Sequence, residues 1–223
     1  PDTPNLYRLR TSVYLNGKLC DAVVSRIGIR SIEFRGADGL YINGKPFGDK
    51  LMGVNRHQDY AYIGNAVPNN LHWLDVKKMR DAGFRIIRSA HYPQDPAFMD
   101  ACDELGMFII VATPGWQYWN PEPVFEERIL SDIRNMVRRD RNHPSVLLWE
   151  PVLNETAFPE SFAQNAYRAT HEEYPAPGCY AAIDDKSKGA MGYDVVYTAP
   201  KNEAFYRNAG LSLIHISEPT RRS

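Results

Sequence analysis

Along residues 5–35 apolar and polar positions alternate in short runs, the period of strands rather than helices. Residues 6–15 form one such run and stop at Asn16-Gly17, a pair suited to the positive φ angles of a tight hairpin turn. Residues 31–35 alternate again, and residues 40–47 predict a second hairpin turning at Asn43-Gly44. From Lys50 the rhythm changes. Apolar runs at residues 50–55, 84–89, 107–112 and 146–155 alternate with helical patterns over 69–82, 95–105, 124–141 and 158–173. Asn69 or Asn70 caps the first of these helices, and Gly83 and Gly106 stop the first two. The third carries an apolar stripe at Ile129, Ile133, Met136 and Val137. Residues 107–112 are apolar throughout, as in strands buried on both faces.

Strands and helices in alternation imply a parallel sheet, and four such steps point to a barrel. Two more short strands are expected at residues 179–183 and 194–197, so the pattern stops near the sixth of a barrel's eight strands. The fold class is therefore α/β: an incomplete (β/α)8 TIM barrel preceded by the last strands of a β-sandwich. Two or three strands do not make a stable sandwich alone. The expected division is 1–36 for the sandwich, 37–210 for the barrel, and 211–223 as a non-native tail whose composition continues neither rhythm.

Composition narrows the function. At 43% hydrophobic residues the 223-residue chain holds enough apolar surface for a packed core. A formal net charge of -1 gives no electrostatic reason to expect nucleic acid as partner, and no apolar run is long enough to span a bilayer. Aromatic residues reach 12%, with 13 Tyr and 4 Trp, which fits a site that stacks on sugar rings, although most such residues fill cores. Cys20, Cys102 and Cys179 have neither metal spacing nor the even count of a disulfide framework. The compartment is left open, with a periplasmic or secreted setting preferred to the cytoplasm.

The chemistry gathers at the ends of the predicted barrel strands, where reacting groups of such barrels sit. The run from Val146 is expected to end in Asn154-Glu155. A carboxylic acid there, beside an amide able to hold a sugar hydroxyl, suits glycosidic bond cleavage, in which one carboxyl protonates the leaving oxygen. Glu155 is taken as that acid. The equivalent loops bring His57, Arg88, His91 and Trp116 toward the same face. Arg88 has the geometry to hold a carboxylate ionised. His57 and His91 offer hydrogen bonds to sugar hydroxyls, and Trp116 with Trp119 offers a stacking wall. Taken singly, each His is as readily a packed loop residue, and each Trp as readily core. Glu150, five residues before Glu155, is assigned to a supporting role inside the strand, and Asp184-Asp185 to a turn.

Four motifs carry a resemblance over roughly residues 40–160: Gly53-Val54-Asn55-Arg56-His57, Arg88-Ser89-Ala90-His91-Tyr92-Pro93, Arg139-Asp140-Arg141-Asn142-His143-Pro144-Ser145 and Asn154-Glu155. With these the chain resembles glycoside hydrolase family 2, and within it the β-galactosidases. The resemblance implies an immunoglobulin-like sandwich before the barrel, Glu155 as general acid/base of a retaining mechanism, and Asn154 on the sugar 2-hydroxyl. It also implies that His57, Arg88 and His91 line the sugar subsite, with a β-galactoside as substrate and no cofactor. Family members often carry acidic residues and a His after the third strand, some binding magnesium. Here that place reads Thr113-Pro114-Gly115-Trp116-Gln117-Tyr118-Trp119, so no metal is expected there. The family's nucleophilic Glu lies on a later strand. Glu203 comes too early and Glu218 falls in the tail, so the chain is expected to be a fragment lacking the nucleophile and inactive alone, its parent open to homo-oligomerisation. The alternatives are a β-glucuronidase of the same family and a non-catalytic carbohydrate-binding fragment.

Overall fold

The computed structural model describes residues 2–48 and 51–198. The tail at 211–223, Glu203 and the start of the expected strand at Lys50 lie outside the described residues.

The first two strands, β1 (Tyr7–Leu15) and β2 (Lys18–Ile27), form an antiparallel hairpin. Asn16 and Gly17 turn it with φ of 50° and 77°, the double positive φ that two-residue hairpins use to match strand twist. Strands β3 (Ile32–Phe34), β4 (Leu40–Ile42) and β5 (Lys45–Pro46) make a separate small antiparallel sheet, so residues 32–34 pair across residue 36 with the segment that follows.

Four parallel strands come next: β6 (Gly53–Arg56), β7 (Ile86–Ser89), β8 (Phe108–Ala112) and β9 (Val146–Glu150), hydrogen-bonded in that order. Helices α1 (Asn69–Asp81), α2 (Pro96–Leu105), α3 (Pro123–Asp140) and α4 (Glu160–Glu173) follow them in turn. The Trp149 N–H donates to the Tyr180 carbonyl at 2.9 Å, which carries the sheet on to the parallel pair β10 (Ala182–Asp184) and β11 (Val195–Tyr197). Helix boundaries follow local chemistry. The Asp95 carboxylate accepts from the Ala97 N–H at 2.8 Å to open α2, and Gly106 closes it at φ 65°. The expected Asn cap of α1 is not used. Pro68 precedes the helix, and Asn69 is already its first residue.

Strand alternation sorts the core. Ile87, Ile109, Val111 and Trp149 point outward onto α1–α3, packing with Val76, Phe98, Met99, Met136 and Val137. Ile86, Phe108, Ile110, Leu148, Val195 and Tyr197 fill the other face, and Ile32 of the small sheet joins them. That sheet thus closes the end of the barrel where the strands begin. Strands β6 and β7 approach so closely at this end that a Cβ on Gly53 would lie 2.5 Å from the Ile86 side chain and 2.8 Å from its carbonyl oxygen. No larger residue fits there without moving the strand.

The Arg139–Ser145 motif proves to be a structural clasp at the start of β9. The buried Asp103 carboxylate of α2 accepts from the Ser145 N–H at 3.0 Å and pairs with His143 Nδ1 at 2.6 Å. Burial pulls the His143 pKa down, but the Asp103 hydrogen bond and the charges of Asp103, Asp140 and Asp100 outweigh it, and the net shift is upward. A raised folded-state pKa gives stability that is fully present below the unfolded value, about 6.5, and lost as pH rises through the folded value. His143→Gln is therefore expected to lower the denaturation free energy by about 2 kcal/mol in mildly acidic buffer and by less in alkaline buffer. Urea midpoints across that range check the sign.

Candidate active site

The C-terminal ends of β6, β7, β8 and β9 open into loops at 57–68, 90–95, 113–122 and 151–159. Apart from the turn residues Asn16 and Asn43, the described non-glycine residues with positive φ are Tyr62 (72°), Gln117 (60°) and Glu155 (57°), each in one of these loops. Backbone held in this sparsely populated region concentrates where function needs an unusual direction of the chain.

The two His-bearing loops are tied together. The Gln58 N–H donates to the Tyr92 hydroxyl at 3.0 Å, and the Asp95 N–H donates to Gln58 Oε1 at 2.9 Å. Beneath them Arg56 is buried over the Phe98 ring, donating to Asp75 at 2.9 Å and to Gln94 at 2.5 Å. On this base the exposed His57 meets the His91 ring edge-on at 5.5 Å, and His91 stacks on Trp116 at 4.6 Å with 14° between the planes. Burial, reinforced by the charges of Arg88 and His57, holds the His91 pKa down at about 4 against the opposing pull of Glu155. At neutral pH His91 is thus an uncharged ring with one donor and one acceptor. Its Nδ1 and the indole Nε1 of Trp116 are buried without a hydrogen-bond partner, as is Thr113 Oγ1 at the end of β8.

The strand that carries the carboxylates is shorter than expected. Strand β9 ends at Glu150, five residues before Glu155. Pro151 has no N–H to continue the ladder, and the chain leaves the sheet there. Glu150 is fully buried, facing the inside of the barrel, and Arg88 binds it with both arms of its guanidinium, Nε to Oε2 at 2.7 Å and Nη2 to Oε1 at 2.6 Å. The Tyr197 hydroxyl also donates to Glu150 Oε1. The carboxylate Arg88 holds is thus Glu150, the residue expected in a supporting role inside the strand. The same Nη2 reaches Asn154 Oδ1 at 2.9 Å. Glu155 lies exposed at the mouth, its Oε2 accepting from Gln117 Nε2 at 2.8 Å, while the Gln117 N–H donates to Thr156 Oγ1 at 3.1 Å.

Asn154, Glu155, His57, Arg88, His91 and Trp116 thus all lie at the same end of the sheet. Trp119 does not join the wall. It packs on Phe125 and Phe162 in the core between α3 and α4. Asp184 is the last residue of β10 rather than a turn residue, and Asp185 opens the turn that follows, with Asp184 Oδ1 accepting from the Lys186 N–H at 2.8 Å. Sequence reasoning passed over Gln117 and Tyr197. Gln117 is flanked by aromatic residues with nothing to single it out. Tyr197 reaches the site only through the barrel's closure toward β11.

The family model for the glycosyl hydrolases family 2 TIM barrel domain matches residues 32–176. A β-galactosidase of Thermoanaerobacterium thermosulfurigenes is 36% identical over 176 residues, 78% of this chain and 24% of that protein. A putative β-glucuronidase of Formosa agariphila is 34% identical over 146 residues, 66% of this chain and 18% of its own length. Among solved structures, a β-glycosidase from Bacteroides vulgatus superposes with a TM-score of 0.80 at 27% identity, covering 94% of this chain and 28% of that one. A β-glucuronidase of Bacteroides uniformis does so at 0.76 and 28% identity, covering 89% of this chain and 26% of its own. The chain spans about a quarter of the length of the Thermoanaerobacterium and Thermoanaerobacter β-galactosidases it matches, and 15% of the length of others.

Proposed function

The chain belongs to glycosyl hydrolase family 2, and from that premise we propose that it carries the acid/base half of a retaining β-glycosidase acting on terminal β-D-galactosides. The observation that carries this reading is the placement of Glu155. It is an exposed carboxylate at the barrel mouth, next to an Asn154 amide anchored from below by Arg88. In the first step a carboxylate from a later strand attacks the anomeric carbon while Glu155 gives its proton to the leaving glycosidic oxygen, forming a glycosyl ester and a free alcohol. In the second, Glu155 takes a proton from water as the water oxygen bonds to the anomeric carbon and the ester breaks. Asn154 holds the 2-hydroxyl, His57 and His91 hold further hydroxyls, and Trp116 backs the His91 ring. Gln117 steers the Glu155 carboxyl toward the leaving oxygen.

Two features favour a neutral sugar over a uronate. Relatives 34–36% identical over 77–78% of this chain carry the name β-galactosidase. The two arginines at these strand ends, Arg56 and Arg88, are each already paired with a carboxylate, Asp75 and Glu150, and His91 is held neutral. Among the described residues at these strand ends, a glucuronide's carboxylate would meet no uncompensated cation. In the full-length enzyme carrying this segment, nitrophenyl β-galactoside is expected to be hydrolysed at least about tenfold faster than the glucuronide, a preference of about 1.4 kcal/mol in transition-state binding. Faster glucuronide turnover would move the assignment to the β-glucuronidases.

The immunoglobulin-like character of the β1–β2 hairpin belongs to the same proposal, while residues 32–34 go with the barrel whose base Ile32 covers, so the boundary expected at residue 36 falls before them. Tyr7, Leu9, Val13 and Val23 share one face of the β1–β2 hairpin, each more than half exposed. A face of that kind fits the inner layer of a sandwich whose other strands precede it in the family's longer members.

A further inference from the structure

The barrel interior below the site is apolar: Ile86, Ile110 and Leu148 fill it. One layer higher, alternate strands β7, β9 and β11 bring in Arg88, Glu150 and Tyr197 instead, side chains that meet at the centre of the barrel. Stability gives little reason for this exchange. A fully buried ion pair is usually no better than well-packed apolar side chains of the same volume, because desolvation offsets its attraction. What such a pair does provide is direction.

We propose that Glu150 is a positioning residue of the glycosidase site, acting through Arg88 to set the orientation of the Asn154 amide. This rests on the reading of Asn154 as the group that holds the sugar 2-hydroxyl. A guanidinium has only donors, in a rigid planar fork. Two of its nitrogens are engaged by the two oxygens of Glu150, so its plane and position are fixed, and Tyr197 fixes the carboxylate in turn. The Nη2 that completes this fork also reaches Asn154, and because it can only donate, the amide atom facing it is Oδ1. The Nδ2 edge of the amide is thereby turned away from Arg88, leaving Asn154 a donor toward the sugar oxygen rather than an acceptor. Glu150 itself has no exposed surface and makes no contact with a ligand at the mouth. Without it Arg88 loses the two bonds that set the plane of its guanidinium, and with them the direction in which Nη2 meets the Asn154 amide.

The test compares a β-galactoside with its 2-deoxy counterpart in the full-length enzyme, for wild type, Glu150→Gln, Asn154→Ala and the double variant. If Glu150 acts through Asn154, Glu150→Gln lowers kcat/KM for the hydroxylated substrate by about 2- to 10-fold, the loss of one hydrogen bond between an amide and a hydroxyl. The 2-deoxy substrate, which makes no such contact, changes little. Asn154→Ala gives the same pattern, and the double variant is no worse than the poorer single one. Equal losses on both substrates, or additive losses in the double variant, overturn the proposal and make Glu150 a residue of the fold. Should Glu150→Gln fail to fold, Tyr197→Phe loosens the same carboxylate and is expected to erode the same discrimination by a smaller factor. An unchanged discrimination there overturns the proposal equally. A wild-type enzyme with no galactosidase activity marks failure of the parent reading, and the role of Glu150 falls with it.

Discussion

In the full-length enzyme, Glu155→Ala is expected to slow substrates with poor leaving groups, such as lactose, by about 100- to 10,000-fold, the usual worth of one general acid. Activated aryl galactosides, whose leaving groups depart without a proton, should keep their first step and lose only the second. The accumulated glycosyl-enzyme then appears as a burst of released phenol followed by slow turnover. The basis is geometric. Of the two carboxylates between Trp149 and Thr156, Glu155 faces solvent beside Gln117, and Glu150 is sealed beneath Arg88. Comparing kcat/KM along a leaving-group series checks this, and a slope equal to that of the wild type would assign the proton to another group.

The second large effect concerns stability. Arg88→Ala leaves the fully buried Glu150 carboxylate without its cation, and breaking a buried pair from one side typically costs about 3–5 kcal/mol. Replacing both members with apolar side chains, as in Arg88→Met with Glu150→Met, removes the stranded charge and is expected to restore most of that loss. Urea denaturation of the two variants separates these outcomes. A single variant as stable as the wild type would mean that water reaches Glu150 and that the pair is not dry. The double variant is expected to fold but to bind galactosides poorly, because stability and the direction of Asn154 depend on the pair for different reasons.

What could be read from the sequence was the local part of this picture. Asn16-Gly17 and Asn43-Gly44 turn where double positive φ is needed, and both hairpins form there. The alternation of apolar runs with helical stripes marked all four β-α steps, since a strand of Phe-Ile-Ile-Val-Ala and a helix closed by Gly106 each announce themselves within a few residues. The placement of residues at strand ends followed from that alternation alone, which is why six residues far apart in the chain were expected on one face.

The misses are non-local. Arg88 and Glu150 lie 62 residues apart, and which of two neighbouring glutamates the arginine takes depends on the inward and outward alternation of β9. Pro151 was the available signal that the strand stops at Glu150, since a proline cannot donate to the ladder. The Asn154-Glu155 pair drew the expected strand too far past it. Trp119 looked like Trp116 in a loop of aromatics, but α3 and α4 present Phe125 and Phe162 to it, and packing decided its direction. The apolar alternation of residues 31–35 was right as strand, yet its partner is β4, because Ile32 has the barrel's base to cover.

As acid/base, Glu155 would act from the face of the sugar opposite the nucleophile, and small-anion rescue tests that most directly. Glu155→Ala, given an activated β-galactoside and sodium azide, should regain turnover. Azide takes the place of the water that Glu155 no longer activates, its nitrogen bonding to the anomeric carbon as the glycosyl ester breaks, so the product should be the β-galactosyl azide. Nuclear magnetic resonance of the product reads the anomeric configuration. The α-azide, or no azide product at all, would contradict the assignment of Glu155 as the acid/base of a retaining enzyme.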